Sequence, residues 1–99
     1  MIYANYLQYG ERSKILILRP AHQKYLFELL DQGKLIAAGS FPDDVGGLYI
    51  YEAESQEAAE NLMTADPYFL GNAIAGFRIV AWEVHGANPA LLRVADRDH

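Results

Sequence analysis

The sequence has no cysteine, few basic residues and no long apolar run, and each of these absences excludes a class of protein. Without cysteine there is no disulfide framework, thiolate metal site or thiol nucleophile. Eight Lys and Arg against thirteen Asp and Glu give a net charge of −5, which argues against nucleic acid or an anionic membrane surface as a partner. No apolar run approaches the roughly 18 residues of a membrane helix, and the first residues do not resemble a secretory signal. We therefore expect a cytoplasmic protein that binds a small molecule or another protein.

The composition is that of one ordinary globular domain. The chain has 99 residues, of which 52% are hydrophobic, 12% aromatic and 21% charged. This length is enough for a real hydrophobic core but too short for two domains. No internal repeat and no low-complexity segment is visible in the sequence.

Apolar periodicity and turn residues predict six elements. They are a strand at 2–9, a helix at 20–32 ended by Gly33, strands at 34–41 and 48–53, a helix from Ser55 to Asp66 and a strand at 77–84. Periodicity does not decide the state of the apolar run at 15–18, and we expect a loop at 68–76. The order strand, helix, strand, strand, helix, strand predicts an α+β, ferredoxin-like fold with an antiparallel sheet.

The first helix carries the most informative histidine of the sequence. Proline suits the first position of a helix, so Arg19 is predicted to be the cap and Pro20 the first helical residue. His22 then shares the inward face with Leu26 and Leu29, four and seven residues further on. A histidine at the edge of a buried stripe is more often structural than catalytic, so the role of His22 depends on the residues around it.

The predicted topology brings a carboxylate towards this histidine. The start of the first helix and the end of the second meet at the same end of the sheet, which places Asp66 near His22. A carboxylate at the end of a helix opposes the helix dipole, and a nearby imidazolium would offset that cost. Asp66 is therefore predicted to orient His22 as a general acid or base.

Three further residues are candidates for binding a substrate at the same edge. Arg12 and Arg19 could each hold an anion by paired hydrogen bonds, although solvated arginines fit equally well. Ser40 is either a ligand-binding hydroxyl or an ordinary strand-end residue. Asp43 and Asp44 are most simply turn formers, although they could bind a metal together with His22. No ligand spacing typical of a metal site is present, so we expect no metal and no cofactor.

The strands offer apolar residues to both faces of the sheet, whereas both helices cover only one. Val80 and Trp82 share one face of the last strand, and an exposed patch of this kind is too large for a monomer. We expect a second copy to cover it, which gives a two-fold homodimer with the sheets face to face. We divide the chain into a domain at 1–84 and a tail at 85–99, in which Asn88 and Pro89 could begin a short helix at the dimer interface.

The chain resembles the YCII-related (YciI-like) family of small ferredoxin-like proteins. The segments that carry the resemblance are RPAHQKYLFELL at 19–30, GKLIAAGSF at 33–41, GGLYIYEAES at 46–55, AAENLMTADPYF at 58–69 and IVAWEV at 79–84. The resemblance implies a dimeric α+β barrel. It also implies that the histidine of the RPAH motif and the aspartate of the DP motif, here His22 and Asp66, form the active-site pair. One branch of the family resembles enzymes that remove chloride from chlorinated hydroxyquinols.

Together these observations favour a lyase or isomerase that moves a proton on a small, anionic, cyclic or enolisable compound. A binding or regulatory module without catalysis is the first alternative, because a sensor needs only the shape and charge of the pocket. A cofactor-free monooxygenase on the same fold is the second. The sequence does not identify the substrate.

Overall fold

Four antiparallel strands and three helices make up residues 1–94, which are the residues that the computed structural model describes. The elements in chain order are β1 (Ile2–Tyr9), α1 (Arg12–Asp31), β2 (Leu35–Ser40), β3 (Gly46–Glu52), α2 (Gln56–Thr64), α3 (Pro67–Leu70) and β4 (Ile74–Ala81). The sheet order is β2-β3-β1-β4, and every neighbouring pair is antiparallel. The predicted order of the strands and the two longer helices is therefore confirmed, and β2 and β3 form a hairpin.

Helix α1 begins earlier than predicted. It starts at Arg12 after Glu11, so the apolar run at 15–18 is helical, Arg19 is not a cap, and Pro20 lies inside the helix. An internal proline removes a backbone hydrogen bond and costs about 3 kcal/mol. Burial offsets this cost, because Ile15 is 1% exposed and packs in a small cluster with Tyr68 and Ala73. The predicted end of the helix is confirmed by Gly33, whose φ of 72° is a left-handed conformation that favours glycine.

The segment after α2 is also different from the prediction. Helix α2 ends at Thr64, and Asp66 caps the short helix α3, whose first residue is Pro67. The carboxylate therefore lies at the favourable end of a helix, and the predicted opposition to a helix dipole is wrong. Pro67 begins α3, because proline fits the first position of a helix.

The last strand lies three residues earlier than predicted, at 74–81 instead of 77–84. Pairing with β1 determines its extent: Ile74 lies opposite Tyr9 and Ala81 opposite Tyr3, around a register shift at Gln8 and Tyr9. Strands β2 and β3 differ from their predicted limits by at most two residues. In the tail the predicted helix is a single 3-10 turn, Pro89–Leu91, and the predicted tail residues 95–99 lie outside the described part of the chain.

The main core lies between the sheet and the helices. Its buried members are Tyr3, Leu7, Leu29, Leu35, Tyr49, Tyr51, Ala59, Met63 and Ile79. On the opposite face the side chains form a shallow hollow of about 260 Å³, lined by Ala4, Tyr6, Leu48, Ile50, Val80 and Trp82. Two of its aromatic residues are largely open to solvent, Tyr6 at 54% and Trp82 at 47% exposure. The helices thus leave one apolar face of the sheet uncovered within residues 1–94.

We expect Gly46→Ala to destabilise the sheet, whereas Gly76→Ala should not. Both glycines pair with Gln8 of β1, one from each side. A Cβ at Gly46 would overlap the carbonyl oxygen of Leu7, whereas a Cβ at Gly76 meets nothing within 4 Å. Overpacking of this kind costs about 1–3 kcal/mol. Urea denaturation of the two variants measures the difference, and equal free energies of unfolding would contradict this account of the β1–β3 contact.

Candidate active site

His22 is buried on the inward face of α1, with 5% exposure, and it contacts a fully buried carboxylate. Its Nδ1 atom lies 2.8 Å from Oδ1 and 3.0 Å from Oδ2 of Asp66. The spacing argument placed His22 on this face with Leu29, which is buried as well. The structure therefore brings together the two residues that the topology and the resemblance had paired.

Asp66 is held in place by the helix that it caps. Its Oδ1 atom accepts a hydrogen bond from the backbone N–H of Tyr68, at 2.9 Å, in addition to the contact with His22. Pro67 occupies the first position of α3, where its fixed φ suits the turn. One carboxylate thus caps α3 and orients the imidazole.

The hydrogen-bond partners of His22 define its neutral tautomer. A carboxylate only accepts hydrogen bonds, so Nδ1–H donates to Asp66. Nε2 is then the acceptor, and it lies 3.0 Å from the hydroxyl of Tyr49, which donates to it. Both ring nitrogens of His22 are therefore occupied by protein groups.

Three tyrosines surround this pair. The ring of Tyr68 stacks on the imidazole, with centroids 3.7 Å apart and planes inclined by 8°. The hydroxyl of Tyr49 lies 2.9 Å from that of Tyr9, and the rings of Tyr9 and Tyr68 meet edge to face at 5.4 Å. The result is a continuous chain of polar atoms, Tyr9, Tyr49, His22 and Asp66, with Tyr68 against its face.

Burial makes these phenols weaker acids than free tyrosine. Desolvation raises the pKa of Tyr9 to about 12 and raises the pKa values of Tyr49 and Tyr68 as well. Unfolded tyrosine loses its proton near pH 10, so deprotonation favours the unfolded chain above that pH. This part of the stability is complete below pH 10 and is lost as the pH rises towards 12.

We therefore expect the urea midpoint of unfolding to stay constant up to about pH 9 and to decrease between about pH 10 and about pH 12. The decrease in the urea midpoint should be smaller for Tyr9→Phe, because this variant lacks one of the phenols whose pKa is raised. Circular dichroism at a series of pH values measures both curves. A midpoint that stays constant over this range would contradict the burial of the tyrosine hydroxyls.

Arg19 and Asp44 form the opposite side of the site. The guanidinium pairs with the Asp44 carboxylate, and its Nε–H donates to the Tyr68 hydroxyl at 3.1 Å. The hydrogen bonds with Tyr68 and Asp44 raise the pKa of Arg19 further above its ordinary value. Asp44 has a φ of 58°, a left-handed conformation that aspartate tolerates in turns, and it lies in the β2–β3 hairpin. This ion pair ties the hairpin to α1.

These side chains line a cleft of about 360 Å³ between α1 and the β2–β3 hairpin. Its walls include His22, Tyr9, Tyr49, Tyr68, Arg19, Gln23, Leu26, Phe27, Ser40, Asp44 and Val94. Of the residues proposed from sequence, His22, Arg19 and Ser40 therefore line the cleft, and Asp66 lies directly behind His22. Arg12 begins α1 at the surface and is not among the residues of the cleft.

Sequence reasoning missed four members of the site: Tyr9, Tyr49, Tyr68 and Asp44. The period of two in β3 puts Tyr49 and Tyr51 on one face, and the helices cover that face. Tyr68 fell in a predicted loop, and Asp44 was interpreted as a turn residue only. The DP motif was the available signal for Tyr68, because a cap followed by proline indicates a helix start.

Residues 1–94 contain no cluster of three or more His, Asp or Glu side chains that could bind a metal ion. None of the helices in this part of the chain has the length and apolar character needed to cross a membrane.

The sequence matches the YCII-related domain over residues 1–83, a span that holds every residue of the site described above except Val94. The chain belongs to the YCII-related family. Among its relatives are the YciI proteins of Escherichia coli O6:H1 and Shigella flexneri, each 40% identical to it over 80 residues. The match covers 69% of this chain and 82% of each relative.

Two solved structures show the fold of this YCII-related chain. One is the 5-chloro-2-hydroxyhydroquinone dehydrochlorinase TftG from Burkholderia phenoliruptrix AC1100, in complex with 2,5-dihydroxybenzoquinone. It has a TM-score of 0.73 and 25% identity, over 87% of this chain and 96% of that one. The other is an antibiotic biosynthesis monooxygenase with a TM-score of 0.55 and 14% identity, over 87% of this chain and 100% of that one, which shows the fold alone. The predicted family and the ferredoxin-like fold are confirmed.

Proposed function

We propose that this protein is a lyase or isomerase that moves a proton on a small hydroxylated ring compound bound in the cleft. The observation that carries the proposal is the buried His22–Asp66 pair, at 2.8 Å, joined through tyrosine hydroxyls to a cleft of about 360 Å³. A buried carboxylate stabilises the imidazolium that forms when the histidine accepts a proton. Pairs of this kind suit general acid–base chemistry.

The reaction class follows from two proton transfers. A ring hydroxyl gives its proton to the site, and the site returns a proton to a ring carbon, which forms a ketone tautomer. If this ketone tautomer loses a different proton, a double bond is shifted, which is an isomerisation. If it loses a proton together with chloride, HCl is eliminated. Either route needs only a base that becomes an acid, which is the role we propose for His22 with Asp66.

Arg19 and Ser40 are proposed to contact oxygen atoms of the ligand. Both line the cleft, and an arginine favours the phenolate that forms when a hydroxyl is deprotonated. Because Asp44 already offsets the charge of Arg19, we propose that the ligand carries one ionised oxygen and not several. Arg12 is left out of this proposal because it is exposed outside the cleft.

The similarity to the dehydrochlorinase supports a chlorinated polyhydroxybenzene as the first compound to test. We expect the purified protein to release chloride from 5-chloro-2-hydroxyhydroquinone under anaerobic conditions, measured with a chloride electrode. Tight binding of 2,5-dihydroxybenzoquinone without any turnover of the chlorinated compound would favour a binding module over an enzyme. Neither binding nor turnover would contradict this substrate class.

We also propose that the working form is a homodimer, joined through the uncovered face of the sheet. The hollow of about 260 Å³ and the exposure of Tyr6 and Trp82 support this proposal. Light scattering on a sizing column should give twice the mass of the chain. Trp82→Glu should give monomers, whereas Ile17→Glu, which charges an exposed residue of α1, should not. A monomer of the unaltered chain at micromolar concentration would contradict the proposal.

A further inference from the structure

His22 lines the cleft, but neither of its ring nitrogens is free to exchange a proton directly with a ligand. Nδ1 is bound to Asp66 and Nε2 to the hydroxyl of Tyr49, while Tyr68 covers one face of the ring. A proton that reaches His22 from the cleft therefore has to pass through Tyr49, or Tyr49 has to move away. Tyr49 is 1% exposed within the core, and such a residue has little freedom to move.

The hydroxyl of Tyr49 leads to a second hydroxyl at the wall of the cleft. Tyr9 lies 2.9 Å away, and its side chain is only partly buried. Gly47 makes this arrangement possible, because a Cβ there would lie 2.9 Å from the Tyr9 hydroxyl and 3.0 Å from the Tyr49 ring. The pairing of the two phenols is thus built into the backbone of β3.

We propose that Tyr9 is the catalytic residue that exchanges a proton with the ligand, and that Tyr49 relays this proton to His22. The inference rests on the proposed function and adds the route of the proton to it. Before transfer, Tyr9 donates to Tyr49, Tyr49 donates to Nε2, and a lone pair of the Tyr9 oxygen faces the ligand.

The transfer keeps both tyrosines neutral. The O–H bond of a ligand hydroxyl breaks and its proton bonds to the Tyr9 oxygen. The former Tyr9 proton moves to the Tyr49 oxygen, and the former Tyr49 proton moves to Nε2 of His22. The ligand becomes an oxyanion, His22 becomes an imidazolium beside Asp66, and the direction of the hydrogen bonds along the chain is reversed. The same steps in the opposite direction return a proton to the ligand.

The groups around His22 are consistent with this storage of a proton. Asp66 faces Nδ1 from the start of α3, Tyr49 faces Nε2 from β3, and Tyr68 stacks on the ring. Beyond Tyr68, the charge of Arg19 is opposed by that of Asp44. Tyrosine is protonated at neutral pH, and burial raises the pKa values of Tyr9 and Tyr49 further, so both hydroxyl protons that a relay needs are present.

The relay makes a prediction that does not depend on turnover. Protonation of His22 should reverse the hydrogen bond at Tyr9, so in a pH titration the NMR shift of the Tyr9 Cζ carbon should follow the shifts of the His22 ring nitrogens. Tyr49→Phe should abolish this correlation. The control is Tyr51→Phe, which removes a buried hydroxyl on the same face of β3 and should preserve it. The proposal would be overturned if the Tyr9 Cζ shift responded equally in Tyr49→Phe, or if it did not change when His22 is protonated.

The kinetic test uses 5-chloro-2-hydroxyhydroquinone as the probe. Tyr9→Phe and Tyr49→Phe should each lower kcat by about 10²-fold with little change in KM, whereas Tyr51→Phe should keep the parent rate. Full activity in Tyr9→Phe would show that the proton reaches His22 without Tyr9 and would overturn the relay. If the unaltered chain releases no chloride, the proposed dehydrochlorination fails, and the NMR correlation still decides whether the relay exists.

Discussion

Replacing His22 with asparagine is expected to lower kcat for chloride release from 5-chloro-2-hydroxyhydroquinone by about 10²–10⁴-fold. The asparagine amide can take the place of Nδ1 and donate to Asp66, so the buried carboxylate keeps a partner. It cannot accept and hold a proton, because an amide is not basic at neutral pH. The variant therefore removes the proposed chemistry while leaving a polar contact in the core.

The fold of His22→Asn should survive with a modest loss of stability, since the smaller side chain gives up the stacking on Tyr68. His85→Asn is the matched control, because the His85 side chain is 86% exposed and lies outside the cleft. It should keep the activity of the parent chain. A folded His22→Asn variant with unchanged kcat would contradict the role proposed for the imidazole.

Replacement of Asp66 is expected to separate its two roles. In Asp66→Asn the remaining carbonyl oxygen can still accept from the Tyr68 N–H and from His22, so α3 keeps its cap. The negative charge that stabilises an imidazolium is lost, and kcat should fall by about 10²-fold or more. Asp66→Ala should in addition lose about 2–4 kcal/mol of unfolding free energy, because the cap disappears and Nδ1–H is left buried without a partner.

Chloride release and urea denaturation of the same two variants measure this separation. Asp31→Asn is the control, because it removes a carboxylate from the exposed last residue of α1 and should change neither quantity by much. An Asp66→Asn variant with full activity would show that charge at this position does not matter to the reaction. Equal stability of Asp66→Ala and the parent chain would contradict the capping role.

Much of the fold was predictable from local pattern. The limits of β1 are those predicted, and the element order led to the ferredoxin-like fold with its antiparallel sheet. The start of α1 was not predictable, because Pro20 is locally a strong start signal. Ile15 is buried against α3 and against the residue before β4, which are distant in the sequence. This burial outweighs the start signal of Pro20. The extent of β4 was not predictable either, because it depends on pairing with β1 and not on the apolar pattern of its own residues.

The candidate site was predictable only in outline. The meeting of His22 with Asp66 followed from topology and from the family motifs. The tyrosine chain did not, because the period of two shows which strand residues share a face but not which face the helices cover. Asp44 was missed because the sequence does not show that the β2–β3 hairpin brings this turn residue against Arg19 of α1. Side-chain networks that join three or more elements can be found only from the three-dimensional structure.

The most direct test of proton transfer at this site is hydrogen exchange on a ring that has nothing to eliminate. Hydroxyhydroquinone in D₂O, kept free of oxygen, exchanges a ring C–H for deuterium when a base and acid interconvert its phenol and ketone forms. Proton NMR follows the loss of the ring signal. The account predicts faster exchange with the unaltered chain than with His22→Asn or with buffer alone. Equal rates in all three samples, with the ligand shown to be bound, would contradict a catalytic site and leave this cleft as a binding pocket.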